Sequence, residues 1–85
     1  MKLTYHAWIS ENIGVEEEYV TAETGTLQDL IAILKNQGSI HEQIFSKLDK
    51  IYIAVNDRMV RKNELETTLL SSHDTISFFP AISGG

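Results

Sequence analysis

The hydrophobic pattern of this chain changes its period twice. Near the beginning and near the end, apolar side chains alternate with polar ones at every second residue, as in half-buried β-strands. Between these segments, four apolar residues recur with the 3.6-residue period of an amphipathic helix, namely Leu27, Leu30, Ile31 and Leu34. Because 85 residues allow a single small core, the pattern predicts an α+β fold. In that fold a mixed sheet of about five strands packs on one main helix.

Two strands are predicted in the first 21 residues. Residues 2–9 alternate between an apolar face and a face that carries His6 and Trp8. Residues 10–15 contain loop-forming Asn and Gly and are expected to form a loop. Residues 16–21 are expected to pair antiparallel with the first strand, and their three consecutive glutamates indicate a solvated sheet edge.

The main helix has start and stop signals. Thr26 is expected to be its N-cap, with Asp29 completing a capping box. Gly38 is expected to end it by adopting a positive φ. Ser39 and Glu42 repeat the cap pattern and predict a second, shorter helix.

The second half of the chain returns to strand patterns. Residues 51–55 are rich in β-branched side chains and predict a strand. A turn at 56–58 is expected to lead into a short segment at 59–61. The apolar residues that follow are expected to pack in an irregular segment, namely Leu65, Leu69 and Leu70.

The last predicted strand spans residues 75–79, and Pro80 ends it. Its alternation places Phe79 opposite the core-facing side chains, on the same face as Trp8. An exposed aromatic side chain there favours contact with a partner over cover by residues 65–70. For Trp8 both alternatives stay open.

The chain closes with two glycines soon after this strand. Residues 1–80 are therefore predicted to form the folded domain, and residues 81–85 a flexible tail. Five residues span at most about 17 Å, and glycine lacks the Cβ that would widen the backbone. This ending favours a role for the terminal carboxylate of Gly85, presented together with Gly84 on a thin stalk, over a chance Gly-Gly.

Composition restricts the function classes. The net charge of −5 comes from 12 acidic and 7 basic side chains, and disfavours a nucleic-acid partner. The basic residues are scattered apart from Arg58, Arg61 and Lys62. The acidity suits a basic protein partner or simply keeps the protein soluble, with equal weight. No apolar run is long enough to cross a membrane, and the chain is expected to begin without a signal peptide. A cytoplasmic protein is therefore expected.

Catalytic and metal motifs are missing from the pattern. With no Cys, the chain offers no disulfide, thiolate metal site or cysteine nucleophile. The histidines at positions 6, 41 and 73 are far apart on different predicted elements, so no metal site is expected. No Gly-rich phosphate loop or Ser-His-Asp set is recognisable. We therefore expect no bound cofactor and no catalysis by this chain alone.

Several segments taken together resemble the MoaD/ThiS sulfur-carrier family, which has the ubiquitin-like β-grasp fold. The resemblance covers essentially the whole chain and rests on its opening at 2–8, the 10–14 loop, the 54–57 turn, Asp74, and the ending at 78–85. Within the family, the ending resembles the branch that acts as the small subunit of molybdopterin synthase.

The resemblance implies a reaction at Gly85. An E1-like activating enzyme would use ATP to adenylate its carboxylate, and a sulfur donor system would convert it to a thiocarboxylate. The sulfur would then be delivered inside a large catalytic subunit, where the sulfur of two carriers forms the dithiolene of molybdopterin from cyclic pyranopterin monophosphate.

The resemblance also implies an apolar patch that docks partners, formed by the positions of His6, Met59 and Phe79. His6 stands where an aromatic residue is usual and Met59 where leucine is usual, and a Pro-Ala pair replaces the commoner double proline. The remaining positions implied in partner contact lie along the stalk, namely Pro80, Ala81, Ile82 and Ser83.

Three other functions stay open at this point. A related carrier could serve thiamine thiazole synthesis or another thiolation. A ubiquitin-like modifier would join Gly85 to lysine side chains of target proteins. An interaction domain would share the β-grasp fold without any chemistry at its C-terminus.

Overall fold

The computed structural model describes residues 1–21 and 25–81. In those ranges the chain forms one mixed sheet and three α-helices. The elements in chain order are β1 (Lys2–Tyr5), α1 (Trp8–Ile13), β2 (Glu17–Tyr19), α2 (Leu27–Lys35), α3 (Ser39–Phe45), β3 (Ile51–Val55), β4 (Arg58–Val60) and β5 (Thr75–Pro80). Two 3-10 turns, Leu48–Lys50 and Lys62–Glu64, flank the β3–β4 pair.

The five strands lie in the order β2-β1-β5-β3-β4. β1 and β5 are parallel, and every other neighbouring pair is antiparallel. The first and last strands of the chain are thus central neighbours, and β2 and β4 are the two edges. This is the β-grasp arrangement, so the predicted fold class is confirmed.

The core lies between the sheet and α2. The four apolar residues of the predicted helical stripe are all at most 1% exposed. Phe78 in β5 stacks on Tyr5 with ring centroids 5.6 Å apart and meets Phe45 of α3 edge-on at 5.1 Å. Each large apolar side chain buried in this way contributes about 1.5–3 kcal/mol, and together they fix the helices against one face of the sheet.

The strand predicted over 2–9 is confirmed only at residues 2–5, and the loop predicted over 10–15 is helical as far as Ile13. β1 ends at Tyr5, and the chain turns directly into α1. Ile9 N–H donates to the carbonyl of His6 at 3.1 Å, and Ala7 adopts φ 54° inside this turn. Ile9 is fully buried. Ile9 lies an even number of residues after the buried Leu3 and Tyr5, so the sequence pattern resembles a strand that continues. In the structure Ile9 belongs to α1 and packs in the core from there.

The capping box of α2 is confirmed. Asp29 N–H donates to the Thr26 hydroxyl at 3.2 Å, and Thr26 N–H donates to the Asp29 carboxylate at 3.0 Å. The prediction that Gly38 ends this helix in the left-handed conformation is wrong. The helix ends at Lys35, and Gly38 has extended backbone with φ 160°. Gly38 is instead the N-cap residue of α3, which therefore has no side-chain cap.

The hairpin between β3 and β4 turns on Asn56 and Asp57, which have φ values of 50° and 70°. Two consecutive positive φ angles are typical of the type I′ turn that joins two-residue hairpins. Beyond β4, Leu65 is buried as predicted, but Leu69 is 77% exposed. The prediction that Leu69 packs in this segment is therefore wrong.

Candidate functional site

The face of the sheet opposite the core carries three of the residues predicted to contact partners, namely His6, Met59 and Phe79. Phe79 of β5 pairs with Tyr52 of β3, and Met59 of β4 pairs with Ala54 on the same face. Tyr52 is 46% exposed and Met59 is 53% exposed. We call His6, Tyr52, Met59 and Phe79 the outer patch.

His6 belongs to the outer patch through direct contact with Phe79. It follows β1, which is parallel to β5, and its N–H donates to the carbonyl of Phe78 at 3.1 Å. The imidazole lies nearly parallel to the Phe79 ring, with centroids 4.3 Å apart and an interplanar angle of 12°. The stack leaves Phe79 only partly buried, so the pair presents one continuous aromatic surface.

Two hydroxyl groups orient the imidazole. Thr4 donates its hydroxyl hydrogen to the Ser77 oxygen at 2.7 Å, and the Thr4 oxygen lies 3.3 Å from His6 Nε2. The contact with Thr4 holds the imidazole over the Phe79 ring.

Sequence reasoning missed Tyr52. Tyr52 lies within the strand predicted at 51–55, but only the register between β3 and β5 shows that it lies directly across from Phe79. That register is a long-range pairing, so no local signal could have found it.

The chain leaves the sheet close to the outer patch. Pro80 pairs with Ile51, and Ala81 N–H donates to the carbonyl of Lys50 at 2.8 Å. The backbone is thus held by the sheet up to Ala81. The predicted stalk residues Ile82 and Ser83 and the predicted reactive Gly84 and Gly85 lie outside the described residues, and their roles stay predictions.

Trp8 does not lie beside Phe79, contrary to the strand prediction. It is the first residue of α1, is 38% exposed, and lines a recess together with Ile40 and Ile44 of α3. The segment at 65–70 does not line this recess. Trp8 therefore belongs to a different surface from the outer patch.

The turn motif singled out in the sequence has a structural role. The side-chain NH2 group of Asn56 donates to the Asp74 carboxylate at 2.7 Å, and the side-chain oxygen of Asn56 accepts a hydrogen bond from Thr75 N–H at 2.9 Å. Asp74 also accepts Ser71 N–H at 2.7 Å. Two hydrogen bonds lower the pKa of Asp74 below its ordinary value. The one from the Ser71 N–H has the larger effect, and the one from the Asn56 side chain has the smaller. These contacts tie the β3–β4 turn to the start of β5.

A second ionisable group links β1 to β2. Burial raises the pKa of Tyr5 far above its ordinary range, and its hydroxyl donates to the Glu18 carboxylate at 2.5 Å. Tyr5 thus remains a neutral donor that joins β1 to β2.

Across residues 1–21 and 25–81, no three His, Cys, Asp or Glu side chains are grouped closely enough to hold a metal ion. In the same ranges, no helix has the length and apolar content needed to cross a membrane.

Comparisons with known proteins agree with the fold. The ThiS family model matches residues 3–85. The complex of subunits 1 and 2 of the molybdopterin-converting factor from Helicobacter pylori contains a similar chain, with 27% identity, a TM-score of 0.66, and coverage of 99% of this chain and 96% of that one. No curated protein sequence matches.

Two further solved structures share the fold. The small archaeal modifier protein 1 (SAMP1) from Methanosarcina acetivorans is 24% identical, with a TM-score of 0.77 and coverage of 99% of this chain and 94% of that one. The thiamine biosynthesis protein ThiS from Geobacter metallireducens is 17% identical, with a TM-score of 0.60 and full coverage of both chains, 100% and 100%.

The family model spans nearly the whole chain, and the sheet order, the central β1–β5 pair and the position of the C-terminal exit are those of a β-grasp protein. The chain therefore belongs to the ThiS/MoaD family of β-grasp sulfur carriers.

Proposed function

We propose that this chain carries sulfur for the synthesis of molybdopterin and does so through the carboxylate of Gly85. The observation that carries the proposal is the position of the outer patch. Phe79, which stacks on His6, lies two residues before Ala81. Ala81 is the last described residue, and its N–H is hydrogen-bonded to Lys50 beside the sheet. A partner that covers the patch would therefore hold the folded body beside the point where the chain leaves it.

The length of the remaining chain suits this division of roles. The four residues after Ala81 span at most about 14 Å. That is enough for Gly85 to reach a recessed active site while the outer patch stays on the rim. Two terminal glycines keep the leading end narrow, and the apolar patch supplies contact area without entering the pocket.

The chemistry balances at the C-terminus itself. The Gly85 carboxylate attacks the α-phosphate of ATP within an E1-like activating enzyme, which forms an acyl-adenylate and releases pyrophosphate. A sulfide-level nucleophile from a sulfur donor system then displaces AMP and leaves a thiocarboxylate. In the large catalytic subunit, two such chains each pass one sulfur to cyclic pyranopterin monophosphate to make the two-sulfur dithiolene, and water restores each Gly85 carboxylate. The chain is a co-substrate and needs no bound cofactor.

The molybdopterin branch is favoured by one comparison. The similar Helicobacter pylori chain was solved as a complex of subunits 1 and 2 of the molybdopterin-converting factor, and it aligns over 99% of this chain. A large catalytic subunit is therefore the partner that we propose for the outer patch.

A reconstitution tests this function. Thiocarboxylated chain is mixed with the large catalytic subunit and cyclic pyranopterin monophosphate, and molybdopterin is measured by conversion to a fluorescent oxidised derivative. We expect product in proportion to thiocarboxylate consumed. A thiocarboxylated chain that forms a stable complex with the large subunit but yields no product would refute the molybdopterin assignment.

The likeness to SAMP1 favours a second candidate, a protein modifier. In that case Gly85 would form isopeptide bonds with lysine side chains. Immunoblots of cells that express a tagged chain would then show a ladder that disappears when Gly84 and Gly85 are deleted. A carrier that serves only molybdopterin would show a single band.

A further inference from the structure

A second apolar surface lies at the β4 edge of the sheet. β4 ends at Val60, which pairs with Ile53, so the first two residues of β3 extend beyond it. A recess of about 660 Å³ occupies this corner. Its apolar floor is formed by Leu48, Ile51, Ile53, Val60 and Leu65. We call it the hairpin recess.

Two cations stand on the rim of the hairpin recess. Arg61 and Lys62 line it and are exposed, and no acidic residue lines it. The nearby Glu64 directs its carboxylate to the backbone N–H of Arg61 at 2.8 Å. Among residues 1–21 and 25–81, the side-chain ion pair is the one between Lys2 and Glu17. It lies toward the β2 edge of the sheet, away from the hairpin recess. Neither rim cation forms a side-chain ion pair within the described residues.

Positive charge at this edge is confined to the rim of the recess. The segment 57–66 carries Arg58, Arg61 and Lys62, and also Asp57, Glu64 and Glu66, so its formal charge is zero. The recess itself is lined by Arg61 and Lys62 and by no carboxylate. A partner segment that enters it meets these two cations next to uncovered apolar side chains.

We propose that the hairpin recess docks an extended acidic segment of a partner protein. The segment would insert one large apolar side chain against the floor and place carboxylates beside Arg61 and Lys62. Tyr52 and Met59 line the recess and also belong to the outer patch, so the two surfaces are continuous. The inference rests on the proposed function in one respect, namely that the acidic segment belongs to an enzyme that acts on Gly85.

The probes are three acetylated and amidated synthetic peptides that carry a fluorescent label. The first has a central leucine–phenylalanine pair flanked by glutamates and aspartates, the second has lysines at the acidic positions, and the third has alanines at the apolar positions. Binding to the full chain is measured by fluorescence anisotropy, and the site is mapped by amide chemical shifts. We expect the first peptide alone to bind, with the largest shifts at Val60, Asn63 and Leu65.

Charge reversal tests the role of the rim. The variant R61E/K62E should weaken binding of the acidic peptide by at least about tenfold, because attraction becomes repulsion. The control variant K35E/K47E makes the same change in net charge at exposed lysines outside the recess and should bind as the wild type does. Equal binding by the three peptides, or equal weakening by both variants, would refute the proposal.

Two other occupants give different results, and either one refutes the proposal. If a second copy fills the recess, sedimentation without peptide will show self-association that R61E/K62E abolishes. If the chain's own residues 82–85 fill it, the full chain will not bind the acidic peptide, and only a variant ending at Ala81 will bind it. Peptide binding does not use the Gly85 carboxylate, so a failure here is distinct from a failure of the sulfur-carrier function.

Discussion

His6 and Ala7 show how single residues build the outer patch. His6 stands where the family resemblance implies an aromatic side chain, and its imidazole lies 4.3 Å from the ring of Phe79. The patch therefore keeps two stacked planar rings despite the substitution. The next residue, Ala7, has φ 54° and ψ −131°. This is the conformation of the first central residue of a type II′ turn, which favours glycine.

Truncation of Phe79 tests the outer patch. Phe79→Ala should weaken binding to the large catalytic subunit by about tenfold or more, since a central aromatic contact is typically worth about 2 kcal/mol or more. Isothermal titration calorimetry measures the change. Tyr19→Ala removes a side chain that is 71% exposed at the β2 edge and should leave affinity unchanged. Equal affinities for wild type and Phe79→Ala would exclude Phe79 from the interface.

Relief of the turn at Ala7 should stabilise the fold. A non-glycine residue in this region costs about 1–3 kcal/mol, which exceeds the entropy that glycine adds to the unfolded chain. Ala7→Gly should therefore raise the thermal midpoint by several degrees, at about 4–8 °C per kcal/mol for a domain of this size. Calorimetry measures it, with Ala32→Gly in the exposed face of α2 as a control that should lower the midpoint. A lower midpoint for Ala7→Gly would contradict the strained turn.

Between elements, the contacts of Asn56 and Asp74 hold the β3–β4 hairpin to β5. Asn56 receives Thr75 N–H and donates to Asp74, and Asn56 N–H donates to the carbonyl of Thr75 at 2.8 Å. The turn therefore does more than reverse the chain. It fixes the register that brings Tyr52 opposite Phe79.

This contact predicts a pH dependence of stability. The folded pKa of Asp74 lies below its ordinary value of 3.8 because Ser71 N–H and the Asn56 amide stabilise the carboxylate. The ionised Asp74 carboxylate therefore contributes fully to the free energy of unfolding above its pKa in the unfolded chain. This contribution is lost as the pH falls through its lower pKa in the folded protein. The stability advantage of the wild type over Asp74→Asn should be constant near neutral pH and shrink below about pH 4.

Urea unfolding at a series of pH values measures this advantage. The control is Glu66→Gln, which removes an exposed carboxylate and should have little effect at any of these pH values. An advantage of the wild type over Asp74→Asn that grows as the pH falls would have the wrong sign and would rule out this role of Asp74.

Local periodicity was sufficient for some elements and not for others. β3, β5 and the capping box of α2 were predictable because propensity, alternation and cap chemistry agree there. α1 was not, since a buried residue at position 9 fits a strand that continues from Tyr5 as well as a helix that packs on the core. The pairing of Tyr52 with Phe79 depends on strand register, which is set by contacts distant in sequence.

At the scale of the whole molecule, the sheet assigns different roles to its parts. One face packs on the helices, the other presents the outer patch, and the central strand β5 leads the chain out beside Lys50. The rigid body would supply recognition, and the residues after Ala81 would supply the chemistry. This separation explains how a chain without catalytic or metal motifs in its described residues can take part in a reaction.

The most direct test of the account is the intact mass of the chain after incubation with ATP, an activating enzyme and a sulfur donor. We expect a gain equal to the replacement of one oxygen by one sulfur, located at Gly85 by fragmentation. A variant extended by one bulky residue that cannot be trimmed should show no gain. Sulfur found at another residue, or an equal gain in the extended variant, would contradict the claim that the free C-terminal carboxylate is the reactive group.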